Sequence, residues 1–157
     1  MSGFLQSAWE KYTKIIEDFN EPGRFTAFIG YEWTPNPGPG NNMHRNVVYR
    51  DDMKLAEQVT PFTTFESVDP EDLWKWMEQY EKTTGGKVLT LAHNGNMSNG
   101  IMFPYETNPA TGDRLTGDYA KQRARWEPLE GYLHQVFLPS SVSYSFCVWG
   151  MWLAAQA

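Results

Sequence analysis

Segment 88–100, Val-Leu-Thr-Leu-Ala-His-Asn-Gly-Asn-Met-Ser-Asn-Gly, constrains this chain more than any other stretch. An apolar run long enough for one strand meets a histidine and then a loop of asparagines and glycines. Val88, Leu89, Leu91 and Ala92 suit a strand buried on both faces, with His93 at its carboxyl end, where α/β folds gather their chemistry. Gly95 and Gly100 permit tight turns, and Asn94, Asn96 and Asn99 place neutral hydrogen-bonding groups beside the histidine. A lone histidine at a strand end is more often structural than a ligand, so the metal argument needs further residues.

Two other segments supply them. Residues 25–34, Phe-Thr-Ala-Phe-Ile-Gly-Tyr-Glu-Trp-Thr, form a second apolar strand that ends in a carboxylate, Glu32. In residues 41–50 a loop rich in Pro, Gly and Asn delivers His44 to the mouth of a third short strand. Imidazole and carboxylate suit zinc, manganese or iron, and one ligand from each of several strand ends is how an open catalytic metal site is assembled. The competing reading pairs Glu32 with Arg45 or Arg50 and leaves the histidines as loop caps.

The elements between these segments alternate. Phe4, Ala8, Tyr12, Ile15, Ile16 and Phe19 recur at helical spacing, which predicts an amphipathic helix over 4–20, stopped by Pro22 and Gly23. A strand over 25–33 follows, then the loop 35–40, which can wall a pocket, and a strand over 46–50. Asp69-Pro-Glu-Asp opens a second helix with a cap, a first-turn proline and acids at its positive end, and Gly85-Gly86 closes it. Leu73, Trp76, Met77 and Tyr80 make its inward stripe. A strand over 87–92 then implies a β-α-β crossover and a mostly parallel sheet.

With 157 residues, one domain is expected. A formal charge of -6 argues against nucleic acid as a partner, since such binders show a basic stripe. The one cysteine excludes an internal disulfide and a thiolate cluster. The start lacks the regions of a signal peptide, and a piece of a longer exported or cytoplasmic protein would lack them too, so the compartment stays open. Residues 131–157 contain no Asp, Glu, Lys or Arg. That break divides the chain into 1–130 and an uncharged tail, read as out of register with the rest, and His134 and Cys147 in it carry no functional weight. Its apolar stretch, 148–155, is too short for a membrane span, and no membrane partner is expected.

The runs Phe-Ile-Gly-Tyr-Glu-Trp-Thr, Asn-Asn-Met-His-Arg-Asn-Val-Val-Tyr-Arg-Asp, Pro-Glu-Asp-Leu-Trp-Lys-Trp-Met-Glu and Ala-His-Asn-Gly-Asn-Met-Ser-Asn-Gly, in that order, resemble the bacterial domain of unknown function 3604. That family is similar to the PHP (polymerase and histidinol phosphatase) metallohydrolases. The resemblance covers roughly residues 1 to 129. It implies an α/β fold: part of a distorted (β/α) barrel of mostly parallel strands, incomplete at both ends. It also implies a site of two or three divalent ions in the complete domain, with Glu32, His44 and His93 as ligands. The family's opening His-x-His strand, its second Asp-His strand and its late Asp-x-His are not in this sequence. The expectation is therefore the central fragment of a metal-dependent hydrolase, inactive by itself, whose partner is a small-molecule substrate.

Arg45, Asn94, Asn96 and Asn99 are the expected substrate-binding residues, Arg45 because a guanidinium beside a metal ligand forks onto phosphate or carboxylate. Trp33, Trp74, Trp76 and Trp126 read as core before sugar-stacking platforms. Lys121, Arg123 and Arg125 read as a solvated basic face, on a helix ending near Trp126. Ser98 has no triad partners at recognisable spacing. A function of another class competes with the hydrolase: a metal-free module in which Trp- and Asn-rich loops hold a carbohydrate or other small ligand.

Overall fold

The computed structural model describes residues 2–129. Expectations for the tail, 131–157, lie outside the described residues. The elements are α1 (Ser2–Phe19), β1 (Gly30–Trp33), β2 (Arg45–Tyr49), α2 (Met53–Ala56), α3 (Pro70–Thr84), β3 (Val88–Ala92), a 3-10 turn (Gly95–Met97) and α4 (Gly117–Trp126).

The three strands form one open sheet in the order β1-β2-β3, and both pairings are antiparallel. This overturns the expected parallel-strand barrel and its β-α-β crossover. The physical reason lies in the connection between β2 and β3. Tyr49 pairs with Val88, so the chain leaves and re-enters the sheet at the same end. A single helix would carry it to the other end; here the chain also crosses through α2 and 57–69 before α3 returns it.

Strand alternation sorts the side chains into two faces. Tyr31, Trp33, Arg45, Val47, Tyr49, Val88, Thr90 and Ala92 are all buried on one face, and the helices pack there. Trp9 of α1 meets Tyr31 edge-on at 5.9 Å, and Tyr80 of α3 meets Tyr49 edge-on at 5.2 Å. Trp74 of α3 meets Tyr119 of α4 at 5.1 Å. On the other face Glu32, Asn46, Val48, Leu89 and Leu91 are incompletely buried, so β3 is not buried on both sides as its composition suggested.

α1 is rotated from its expected stripe, while α3 keeps most of its own and adds Trp74. In α1 the inward residues are Trp9, Thr13 and Ile16, whereas Phe4, Ile15 and Phe19 are exposed. Two polar contacts to the α2 region fix that rotation: the Trp9 indole donates to the Ala56 carbonyl at 2.8 Å and the Thr13 hydroxyl to Glu57 at 2.8 Å. In α3, Trp74 joins Leu73, Met77 and Tyr80 in the core, and Trp76 is half-buried. Asp69 caps α3 by accepting from the Glu71 amide, and Gly85 ends it at φ 73°, as the sequence signals predict. No helix among the described residues is long and apolar enough to cross a membrane.

Candidate metal centre

β1 ends, β2 begins and β3 ends at the same edge of the sheet, so the antiparallel order brings the three expected ligands together. Glu32 lies in β1, His44 immediately precedes β2 and His93 immediately follows β3, with the His93 amide donating to the His44 carbonyl at 3.1 Å. All three belong to the sheet face opposite the helices. One ligand atom from each lies within 4.8 Å of the other two.

Glu32 stands between the two imidazoles. Its Oε1 lies 2.7 Å from His44 Nδ1 and its Oε2 lies 3.5 Å from His93 Nε2. The Thr34 hydroxyl donates to Oε1 at 2.6 Å. The His44 hydrogen bond, then that of His93, and then that of Thr34 hold the carboxyl well below the usual carboxylate range against the opposing effect of burial.

His93 Nδ1 lies 3.3 Å from the Leu91 carbonyl, and its Nε2 faces Glu32 Oε2. Both partners accept, and a neutral ring has one N–H, so it donates to one of them at a time. With Nδ1–H turned to Leu91, Nε2 would offer its lone pair to a cation, and a carbonyl on the other ring nitrogen is the usual support of such a ligand. His44 Nε2 is buried without a hydrogen-bond partner. Donors on a tetrahedral zinc with bonds of roughly 2.1 Å stand about 3.4 Å apart. The Glu32–His93 pair has that spacing as it stands, and the tighter Glu32–His44 pair would have to open by less than about 1 Å. Type and spacing of the donors therefore fit a divalent ion.

The other expected site residues distribute differently. The Arg45 guanidinium turns to the helical face, where its fully buried side chain pairs with Glu127 at 2.7 Å. It does not face the histidines, because alternation puts it opposite His44. Asn94 and Asn99 adopt left-handed backbone at φ 56° and 52° and shape the loop after β3. The Asn99 amide donates to Asn41 at 2.8 Å, joining this loop to the one before His44, while Asn96 is exposed. Ser98 is buried and closes the same turn by donating to the Gly95 carbonyl at 2.6 Å. Trp33, Trp74 and Trp126 are core residues. Thr34 and Asn46 went unnoticed in the sequence. Thr34 is in register with His44, and Asn46 pairs with Glu32 across the strands with its Oδ1 buried and unpartnered. The i+2 spacing from Glu32 and His44 is the signal that identifies both.

A cleft of about 230 Å3 lies at the far end of the sheet, lined by Glu17, Phe28, Tyr49, Arg50 and Asp52 among others. Its acids hold local structure: Asp52 caps α2, and Asp51 accepts from Arg50 and from the Lys87 amide.

No curated protein and no solved structure matches the chain. A family model described as a protein of unknown function, DUF3604, matches residues 1–135, and this chain belongs to that family.

Proposed function

We propose that Glu32, His44 and His93 hold a divalent cation and that this chain contributes the centre of a metal-dependent hydrolase acting on small molecules. The observation that carries the reading is the convergence of one carboxylate and two imidazoles, with ligand atoms within 4.8 Å of one another and the Leu91 carbonyl beside His93 Nδ1. A divalent ion held there supplies Lewis acidity and lowers the pKa of water, which suits phosphate ester, amide and other ester bonds. Glu32 contributes the negative charge, the two neutral imidazoles complete the donor set, and Thr34 holds the carboxylate in orientation. Three donors leave coordination positions for water, substrate or further ligands. The likeness of this family to the PHP metallohydrolases supports the reading through ligand types alone, since the sheet here is antiparallel.

The second reading, a metal-free small-ligand module, draws on the hydrogen bonds that already join Glu32 to His44 and Thr34. Metal analysis of the chain after equilibration with zinc or manganese separates the two. Stoichiometric uptake that His93→Ala removes supports the hydrolase centre. No uptake by the unaltered protein, with ligand binding indifferent to His93→Ala, leaves the module.

A further inference from the structure

We infer that Arg45 and Glu127 form a buried clamp that positions His44, so that the end of α4 sets the geometry of the site through the sheet. The inference rests on the metal-centre reading and adds residues to it. Arg45 and Glu127 side chains are both fully buried, with Arg45 Nε donating to Glu127 Oε1 at 2.7 Å. Glu127 is the C-terminal cap of α4, its amide bonded to the Arg123 carbonyl, and its Oε1 also accepts from the Trp74 indole at 3.3 Å. The other arm of the guanidinium reaches back: Nη1 donates to the Met43 carbonyl at 2.9 Å. Met43 is bonded through its amide to the Pro35 carbonyl at 3.0 Å, and the His44 carbonyl accepts from His93.

The backbone on both sides of His44 is thus tied from the helical face while the imidazole projects from the other. A buried ion pair is a poor source of net stability, because apolar or neutral replacements of similar volume often hold a fold equally well. What apolar groups do not reproduce is the bond to the Met43 carbonyl. Arg45 is accordingly a positioning residue, not the anion-binding residue its place beside His44 suggested.

The test uses Arg45→Met/Glu127→Gln, which removes the Arg45–Glu127 pair and keeps an amide oxygen for Trp74 and for Arg123, whose Nε lies 3.4 Å from Glu127 Oε2. Three readouts are compared with the unaltered chain: thermal unfolding, zinc affinity by chelator competition, and the imidazole Nδ1–H signal of His44 in nitrogen-15 spectra of the metal-free protein. The expected result is a folded protein whose zinc affinity falls roughly 10–100-fold, as for loss of a ligand's support. Its His44 Nδ1–H signal is lost to exchange while the ring N–H signal of His93 persists. A folded double variant with both the zinc affinity and the His44 signal unchanged overturns the clamp. Arg45→Lys carries the same readouts should the double variant not fold, since one ammonium keeps Glu127 paired but does not also span to Met43. If the unaltered protein takes up no zinc, the metal reading falls and the His44 signal alone decides the clamp.

Discussion

Glu32 concentrates the electrostatics of the site in one carboxylate. Three donors converge on it, and its pKa is lowered chiefly by His44 and His93. A carboxyl whose folded pKa lies below its unfolded value of about 4.3 stabilises the native state above that pH, and the contribution disappears as pH falls through the folded value. In metal-free protein, Glu32→Gln should therefore lower the urea midpoint at pH 7, and the gap should narrow as the pH falls below about 4 and close only as it passes the folded value. Equal gaps at pH 7 and pH 3 would mean that the triad contributes nothing through charge. Residue types and strand-end positions made Glu32, His44 and His93 legible in the sequence. The direction of Arg45 was not, because it depends on which face of β2 the helices cover, and one residue of alternation decides between pocket and core.

At the scale of elements, the strand-end reading that brought Glu32, His44 and His93 together did not determine the topology. The strand segments near 30, 45 and 88 are found close to where their composition puts them, and α3 carries its cap, proline and closing glycine. The parallel sheet failed because no element was expected between the strand over 46–50 and the helix opening at Asp69, whereas α2 and the turns after it lie there and β3 enters the sheet beside Tyr49. The α1 stripe failed because hydrophobic spacing ignores hydrogen bonds, and the polar contacts of Trp9 and Thr13 select a different face. Two glycines separate the forces that hold these elements. A Cβ on Gly30 would meet the Val47 carbonyl oxygen at 2.7 Å, so Gly30→Ala should push β1 off β2 and cost about 1–3 kcal/mol in equilibrium unfolding, with zinc affinity falling because Glu32 moves. Gly85 has open space around it and φ 73°. Gly85→Ala should therefore cost only about 1–2 kcal/mol of backbone strain at the end of α3 and leave zinc affinity unchanged. Similar losses of affinity in both variants would mean that affinity follows stability and not the placement of β1.

Across the whole molecule, one of the three candidate ligands stands in or beside each strand, on the face away from the helical core. Glu32 and His93 are far apart in sequence and meet only when β1, β2 and β3 are in register. The unfolded chain has no such site, so the free energy of ion binding adds to that of folding. At free zinc about 100 times the dissociation constant the gain is about 2.7 kcal/mol. For a domain of this size that raises the unfolding midpoint by on the order of 10 °C. The shift should reverse with a chelator, vanish in His93→Ala, and persist in Lys14→Ala, which removes an exposed pair on α1 remote from the sheet edge. An ion held by all three residues would join the strands, so it should also protect the amides of β1 and β3 from hydrogen exchange together. A zinc-induced midpoint shift of equal size in His93→Ala would place the ion elsewhere on the acidic surface and remove the basis for a metal centre at this edge of the sheet.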